Sequence, residues 1–187
     1  MQNSAIPHLI IINALIWLAS FRFPELPRYM ALHKASDSDF EYWQILTYFF
    51  THERFWHIFV NMIALWSLGT AVEAVMRTRR FLRFYLITGL VTGVLLAYLD
   101  PSPGPVVGAS TAISGLLSAF AYYFPRGQLI IFPIPIPIAA RWIALGFGAL
   151  SLILFLLDPQ ASGGISHLGH LFGLVVGYLY LRIERGL

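Results

Sequence analysis

The hydrophobic residues of this chain are gathered into six long stretches separated by more polar segments. The stretches lie at 5–22, 54–74, 80–99, 109–124, 136–157 and 165–183. A transmembrane helix needs roughly 20 consecutive, mostly apolar residues, and each stretch can cross or nearly cross a bilayer. The pattern therefore predicts an all-α, polytopic membrane protein built as a bundle of six transmembrane helices.

The connections between the stretches differ in length and composition. The fourth stretch is the shortest, so we expect a helix that begins below the membrane surface and leaves a recess above its end. The segment 125–137, with prolines alternating over 133–137, predicts an extended, polyproline-like linker on the cytoplasmic side. A ligand for a partner domain is the less favoured alternative. The only long connection is 23–53, and connections of this length are often functional. Its aromatic residues suggest that it lies in the membrane interface, namely Tyr42, Trp43, Tyr48, Phe49 and Phe50.

The composition agrees with a membrane protein. Of 187 residues, 58% are hydrophobic and 11% are charged, whereas about a quarter of an ordinary soluble chain is charged. The length predicts a single domain, 1–187. There are no cysteines, which excludes disulfides and thiolate chemistry. The net charge of +3 is small and dispersed, so we expect no nucleic-acid partner. The N-terminus lacks a basic region and a cleavage site, so the first stretch is interpreted as a retained helix.

Lys and Arg predict the orientation, because cytoplasmic loops carry an excess of both. With both termini in the cytoplasm, eight arginines fall inside and four basic residues fall outside. The inner set is Arg77, Arg79, Arg80, Arg83, Arg126, Arg141, Arg182 and Arg185, and the outer set is Arg22, Arg28, Lys34 and Arg54.

Polar residues occupy the first turns of spans two, four and six, which all run in the same direction. Span two carries His57 and Asn61, span four opens with Ser110, and span six opens with His167 and His170. At about 1.5 Å per residue, Ser110, His57 and His170 lie roughly 3–8 Å below their helix starts. Ionisable groups at such depth are costly and usually functional.

Helix geometry groups these residues further. His57 and Asn61 are four residues apart and share a face. His170, Gly173 and Gly177 share a face of span six, and such glycines let another backbone approach closely. Span four offers a matching surface of small residues, namely Ser110, Ser114, Gly115, Ser118 and Ala119. We infer that spans four and six touch there, which would bring Ser110 to His170.

The chemistry of these side chains predicts a hydrolase. A serine hydroxyl is a weak nucleophile that needs an adjacent base, and a neutral histidine is a suitable base. The resulting oxyanion needs fixed donors, which the Ser110 N–H, the Asn61 amide and the His57 imidazole would supply. Because no Asp or Glu lies at that depth, we predict a Ser110–His170 dyad and not a triad.

Each residue also has a structural interpretation. Ser110 could be a helix N-cap, and His57 and Asn61 could serve packing alone. His167 is a rival base one turn before His170, but the following glycines favour His170. The pair His52-Glu53 raises a zinc site, yet a zinc helix needs histidines four residues apart, and His57 comes five after His52. We therefore predict no metal.

These residues resemble the motifs of the rhomboid family of intramembrane serine proteases. The family has a His followed four residues later by Asn in the second span, as at His57 and Asn61. It has G-x-S-G at the start of the fourth span, where this chain has Gly108-Ala109-Ser110-Thr111. Its base precedes glycines at +3 and +7 in the sixth span, as His170 does. The resemblance covers nearly the whole chain, and His52 matches a further family histidine.

The resemblance implies a serine endopeptidase of the basic six-helix bacterial type, in a bacterial cytoplasmic (inner) membrane. Its partners would be the lipid bilayer and transmembrane protein substrates, cleaved near the outer face at small residues in unstable helix segments. It implies no cofactor. It also implies that the first external loop is a lateral structural element, and that span five or its neighbours gate the access of substrate.

Three positions depart from the family pattern. Thr111 replaces the glycine after the serine, and a stiff β-branched residue would crowd the oxyanion site. Ser114 stands where the family often has an aromatic residue supporting the histidine ring. Gln44 follows Trp43 where the family has arginine, which predicts the loss of one structural contact in the first loop.

Two other functions compete with proteolysis. A non-catalytic rhomboid-like protein would bind transmembrane clients, but inactive relatives generally lack the serine or the histidine, and both are present here. A small transporter is the weaker alternative, because no inverted repeat stands out in the sequence and no charged residue is placed at the membrane midplane.

Overall fold

The computed structural model of the protein describes residues 4–131, 134–160, 166–184 and 186, and it is mostly helical. The elements are, in chain order, α1 (Ile6–Arg22), α2 (Leu26–Met30), α3 (Gln44–Thr47), a 3₁₀ turn (Tyr48–Phe50), α4 (Phe55–Ala64), a π-helical turn (Leu65–Gly69), α5 (Thr70–Met76), α6 (Thr78–Leu99), α7 (Ser110–Tyr123), β1 (Gln128–Ile131), β2 (Ile134–Ala139), α8 (Ala140–Leu157) and α9 (His167–Glu184).

Each of the six apolar stretches contains a long helix, if α4, the π turn and α5 are taken together. Three of the described helices are long and apolar enough to cross a bilayer, namely Phe55–Met76, Thr78–Leu99 and Ala140–Leu157. α1 is apolar but has 17 residues. The count of six spans therefore stays a prediction. Residue 165, where the sixth stretch was predicted to begin, and Arg185 lie outside the described residues.

The all-α prediction is wrong for one segment, because β1 and β2 form an antiparallel hairpin between α7 and α8. The register pairs Gln128 with Ala139 and Leu129 with Ile138. The predicted linker is extended, but it is paired and not a free polyproline helix. β-branched isoleucines favour strands, and a proline at every second position leaves the intervening N–H groups free to pair along one edge. Residues 132–133 lie outside the described residues.

Helix α7 occupies the centre of the bundle. It has 14 residues, and its buried set includes every residue from Thr111 to Leu117. Its many Ser, Ala and Gly residues allow neighbouring helices to approach closely, and it contacts α6, α8 and α9. α8, in contrast, buries only Ala140 and Ser151 among its own residues and therefore lies at the edge.

The first long loop is partly buried. Tyr42 is 78% exposed, but Tyr48 and Phe49 are fully buried in the core, so these two residues do not support a position in the membrane interface. For the exposed part of the loop that position stays a prediction. Gln44 is buried as well, and its side chain accepts the N–H of His33 and Glu41 and donates to the Asp39 carbonyl. The amide therefore organises this loop at the position where the family pattern predicted a lost contact.

A buried carboxylate joins the start of α1 to α5. Glu73 accepts hydrogen bonds from the Ser4 hydroxyl and from the Ala5 N–H, the latter at 2.7 Å. Free N–H groups and the helix dipole make the N-terminus of a helix favourable for a negative charge. Glu73 therefore anchors the first helix to the end of the second apolar stretch.

Candidate active site

The turn before Ser110 is held by the first loop. Tyr48 accepts the N–H of Gly108 at its carbonyl oxygen, at 2.9 Å. The Tyr48 hydroxyl bonds the Thr111 hydroxyl at 3.0 Å and donates to the Gly89 carbonyl at 2.9 Å. Tyr48 thus contacts the residues on both sides of Ser110, and the buried part of the loop sets the position of the serine.

Gly108 gives this turn its shape. Its φ of 111° lies in the left-handed region, where a side chain is disfavoured. A Cβ at this position would lie 2.5 Å from His57 Nε2. Glycine therefore allows the backbone to turn here, and it allows the His57 ring to pack directly on the backbone just before Ser110.

His52 supports the same turn from within the protein. Its Nε2 accepts the Ala109 N–H at 3.4 Å, and its ring centroid lies 5.0 Å from that of His57. Burial lowers the pKa of His52 to about 3, which keeps the ring neutral, as an accepting nitrogen requires. Over the described ranges of the chain, no group of three or more His, Asp or Glu side chains is arranged to hold a metal ion.

The helix that carries His170 begins with a cap tied to α6. The Ser166 hydroxyl accepts the Gly169 N–H at 3.0 Å, and the Ser166 carbonyl accepts the His170 N–H at 3.1 Å. The same hydroxyl reaches the Asp100 carboxylate at 3.4 Å. Serine is a preferred N-cap because its oxygen satisfies a free N–H of the first turn. Asp100 thus steadies the start of α9 through Ser166.

Helices α7 and α9 are in backbone contact through glycines. A Cβ on Gly173 would collide with the carbonyl oxygen of Thr111, and a Cβ on Gly177 would lie 2.6 Å from Gly115 Cα. The Ser118 hydroxyl donates to the Leu174 carbonyl at 2.7 Å. The predicted contact between the small residues of these helices is confirmed.

The two predicted catalytic residues lie at the same end of this helix pair. Ser110 is the first residue of α7, and His170 lies in the first turn of α9. Both are half-buried. In the part of the chain that the structure describes, the Ser110 hydroxyl and the His170 imidazole make no direct hydrogen bond. Catalytic hydrogen bonds are often long before substrate binds.

Two rings, those of Phe147 and His167, lie near the His170 imidazole. The Phe147 ring of α8 lies 5.2 Å from the His170 ring, centroid to centroid, at an interplanar angle of 38°. The His167 ring, from the rival base, is 6.5 Å away. An aromatic neighbour therefore contacts the histidine, but it comes from α8 and not from the position four residues after the serine.

Of the predicted oxyanion pair, His57 lies beside the turn before Ser110, and Asn61 makes a hydrogen bond within its own helix. Asn61 is buried, and its Nδ2 donates to the backbone carbonyl of His57 at 2.8 Å. One amide proton is therefore used within α4, and the other is left for a ligand. The His57 ring lies over Gly108, two residues before Ser110.

Thr111 and Ser114, the two residues near the serine that depart from the family pattern, both make hydrogen bonds within the bundle. The Thr111 hydroxyl is engaged with Tyr48, and its methyl group would be 3.0 Å from a Cβ on Gly169 of α9. The Ser114 hydroxyl donates to the Ser110 carbonyl at 2.7 Å. Both side chains are buried, and these contacts use them for packing around the start of α7.

Sequence reasoning missed several residues that hold this site. Tyr48 belongs to an aromatic run that also suits a membrane interface, so the pattern did not separate its role from that of Tyr42. Ser166 carries a local signal, since a serine just before an apolar helix is a typical cap. Phe147 and Asp100 reach the site only through contacts between distant segments, and no local pattern marks them.

Residues 39–186 match the sequence profile of the Rhomboid domain. The chain belongs to the rhomboid family. The match includes all the candidate residues, and it makes the chain an integral membrane protein of that family, as the resemblance predicted.

Two relatives of this rhomboid share about a third of the aligned residues. The rhomboid protease GluP of Bacillus subtilis is 36% identical over 140 residues, and Rhomboid protein 1, mitochondrial, of Saccharomyces cerevisiae is 32% identical over 139 residues. The alignments cover 74% and 70% of this chain but 25% and 38% of those relatives. The Presenilin-associated rhomboid-like protein, mitochondrial, of Homo sapiens is 26% identical over 185 residues, or 92% of this chain and 46% of the relative. This rhomboid thus spans less than half the length of each.

Proposed function

We propose that the chain is an intramembrane serine endopeptidase that cleaves transmembrane proteins near the outer membrane face. The observation that carries the proposal is the backbone contact between α7 and α9, where Gly173 lies against the Thr111 carbonyl. Ser110 and His170 are the first polar side chains beyond this contact on their respective helices. A serine and a histidine held on two tightly packed helices are suited to a nucleophile and its base.

The proposed reaction uses the two side chains in turn. His170 removes the proton of the Ser110 hydroxyl while Oγ attacks the scissile carbonyl carbon of the substrate. The tetrahedral intermediate collapses, His170 gives its proton to the departing amine, and an ester on Ser110 remains. Water, deprotonated by His170, then attacks the ester carbonyl and forms a second tetrahedral intermediate. As the bond to Ser110 Oγ breaks, His170 returns the proton to Oγ and the acid fragment leaves.

The oxyanion of both intermediates would be stabilised by donors around the start of α7. The free Nδ2 proton of Asn61, the His57 ring and the Ser110 N–H support this role, because all three belong to the same end of the bundle. Preorganised donors in a site sheltered from water are usually the largest single catalytic contribution. The contact of the His57 ring with Gly108 brings it close to that backbone.

Cleavage of a single-span protein substrate by the chain reconstituted in liposomes tests the proposal. We expect Ser110→Ala and His170→Ala to abolish cleavage, while Ser67→Ala, at an exposed serine, and His167→Ala retain it. A fluorophosphonate probe should label Ser110 in the wild type and fail to label it in His170→Ala. Cleavage that survives both Ser110→Ala and His170→Ala removes this site assignment, and cleavage that depends on His167 moves the base to that residue.

A non-catalytic rhomboid that binds transmembrane clients is the second candidate. It is favoured by one observation, the hydrogen bond of the Asn61 amide to its own helix, which leaves one of the two Asn61 amide protons for an oxyanion. If the wild type cleaves none of several substrates and yet retains them in pull-down experiments, with equal affinity for Ser110→Ala, the client-binding function replaces proteolysis.

We further propose one membrane domain, 1–187, with six spans and both termini in the cytoplasm. The excess of arginine on the inner side supports the orientation. The proposed location in a bacterial cytoplasmic membrane rests on the Bacillus subtilis relative alone, because the names of the yeast and human relatives are mitochondrial. Since the chain has no cysteine, single cysteines can be tested with an impermeant maleimide. Residues 37, 103 and 158 should react from outside, and residues 77 and 126 should not; any other alternation contradicts the six spans.

A further inference from the structure

The β1–β2 hairpin is an apolar projection from the end of the bundle at which α7 ends and α8 begins. No charged residue occurs between Arg126 and Arg141. Ile130 and Ile136 are 66% and 62% exposed, while Leu129 packs against the core and attaches the hairpin to the bundle. A two-stranded hairpin is at best marginally stable in water. Its exposed isoleucines therefore need an apolar surrounding.

The prolines of β2 remove N–H groups from one edge of this hairpin. The N–H of Ala140 donates to the Gly127 carbonyl at 2.8 Å. Because the backbone direction alternates along a regular strand, the N–H groups of Ala140 and Ile138 face β1, while Ala139 and Pro137 face away. The register then shifts between Leu129 and Ile131, nearer the turn. Pro135 and Pro137 have no N–H, so β2 lacks a donor at both positions, while its outer edge keeps the N–H of Ala139. Pro133 lies outside the described residues.

An edge with few N–H donors is suited to a membrane. An unpaired N–H in hydrocarbon is strongly unfavourable, whereas an edge strand in water is usually protected by charged side chains. This hairpin has prolines and no charge. The same missing donors oppose the addition of a strand from a second copy or another protein, because strand addition relies on main-chain hydrogen bonds.

We propose that the β1–β2 hairpin inserts into the bilayer interface and interacts with the lipid acyl chains through Ile130, Ile136 and the β2 edge. The carbonyls of that edge remain within reach of interfacial water, and a buried carbonyl is in any case tolerated better than a buried N–H. Arg126 and Arg141 flank the hairpin, and both are exposed at its base. Their guanidinium groups are placed to contact lipid phosphates. The hairpin thereby fixes the depth of α8, whose helix begins where β2 ends.

Fluorescence of a single-cysteine variant tests this insertion. Ile136→Cys, labelled with an environment-sensitive dye, is reconstituted in vesicles of phosphatidylcholine and phosphatidylglycerol with spin-labelled lipids. We expect a blue-shifted emission and a depth of about 5–10 Å below the headgroups, as for other interfacial segments. Asp37→Cys in the first loop is the aqueous control, and Leu150→Cys, on the exposed side of α8, is the lipid control. All variants should unfold at the wild-type temperature.

The outcomes of this experiment are distinct. If the dye at residue 136 is quenched by aqueous iodide as strongly as at residue 37 and is insensitive to spin-labelled lipid, the hairpin lies in water and the proposal is wrong. If spin-labelled lipid does not quench the dye and the unlabelled Ile136→Cys variant forms a disulfide between two copies, the surface is an interface between protomers and the proposal is wrong.

The contact between Phe147 and His170 carries a second inference, which rests on the proposed protease function. α8 lies at the edge of the bundle and buries few of its residues, yet its Phe147 ring packs on the His170 ring. We infer that Phe147 is a positioning residue that orients the base. A displacement of α8 would therefore alter the alignment of His170 with Ser110.

The test compares Phe147→Leu with Phe155→Leu, a partly buried phenylalanine of the same helix. For Phe147→Leu we expect kcat to fall about tenfold or more with KM unchanged, because misorientation of a catalytic group acts on the chemical step. The rate of fluorophosphonate labelling at Ser110 should fall in parallel, and Phe147→Tyr should restore both. Equal kcat for Phe147→Leu and Phe155→Leu removes this inference. The proposed function itself fails if Ser110→Ala and His170→Ala remain active, or if the wild type cleaves none of the substrates.

Discussion

Gly173→Ala is the substitution that tests most directly how the bundle brings Ser110 and His170 together. The added methyl group would collide with the Thr111 carbonyl oxygen and would lie 3.0 Å from both Thr111 C and Ser114 Cβ. Non-bonded carbon atoms rest at about 3.5–4.0 Å from each other. The helices must therefore separate by at least about 0.5 Å, because a backbone carbonyl cannot rotate away as the end of a flexible side chain does.

The consequences differ for stability and for catalysis. Overpacking costs about 1–3 kcal/mol, and the better helix propensity of alanine offsets up to about 1 kcal/mol. We therefore expect the free energy of unfolding to fall by about 1–2 kcal/mol. Catalytic groups must be held within about 0.5 Å of their productive positions, and a shift of about 1 Å can reduce the rate a hundredfold. Activity should thus fall about ten- to a hundredfold in a protein that remains folded.

The assay is kcat/KM for cleavage of a single-span substrate in liposomes, beside thermal unfolding of the same preparations. Gly146→Ala is the matched control, since an added Cβ there meets no atom within 4 Å. It should leave both quantities unchanged or raise the stability slightly. If Gly173→Ala cleaves substrate as fast as Gly146→Ala, the separation of α7 and α9 does not control catalysis and the reasoning is refuted.

Three further predictions concern the surroundings of the site. Gly108→Ala should reduce activity strongly, because the added methyl group would collide with the His57 ring. Gly104 has a similar positive φ of 86° but no atom near an added Cβ, so Gly104→Ala should cost only the backbone strain of about 1–2 kcal/mol. Equal activity of the two variants would exclude a role for the His57 contact. Glu73→Gln should lower the unfolding free energy by about 1–2 kcal/mol, since the amide keeps one acceptor oxygen for the two donors that precede α1, Ser4 and Ala5. An unchanged melting temperature would contradict this role. The pKa of His52 falls from 6.5 in the unfolded state to about 3 in the folded state, so the unfolded state binds more protons between these two pH values. The free energy of unfolding therefore decreases as the pH falls below about 6.5, by up to about 1.4 kcal/mol per pH unit. In His52→Gln the loss of stability between pH 6.5 and 5 should be smaller than in the wild type, and an identical slope would refute the assignment.

Local patterns predicted the helices and their shared faces. The period of the α-helix is the same in any surrounding, so the spacing of His170, Gly173 and Gly177 implied a common face whatever the partner. The depth of Ser110 and His170 followed from counting residues from the helix starts. The small residues of α7 and α9 predicted their contact because close backbone approach requires both surfaces to be small.

Patterns failed where one composition suits two environments. The aromatic residues Tyr48 and Phe49 suit either a membrane interface or a protein core, and they are buried in the core because the loop packs on α6. The alternating prolines of 133–137 indicated an extended chain, but the pairing of β2 with β1 depends on a second strand. Glu73 accepts the N–H of Ala5, 68 residues away along the chain, a partner that sequence proximity does not indicate.

The sequence by itself therefore determined that the chain belongs in a membrane, which segments are helical and which side chains each helix presents on one face, because hydropathy and helix geometry are local properties. The tertiary structure decided which of those faces meet. It also assigned the support of Ser110 to Tyr48 and His52, that of α9 to Asp100, and the contact on the His170 ring to Phe147. These contacts join segments far apart along the chain, and their formation depends on the packing of the whole bundle and not on the residues beside them.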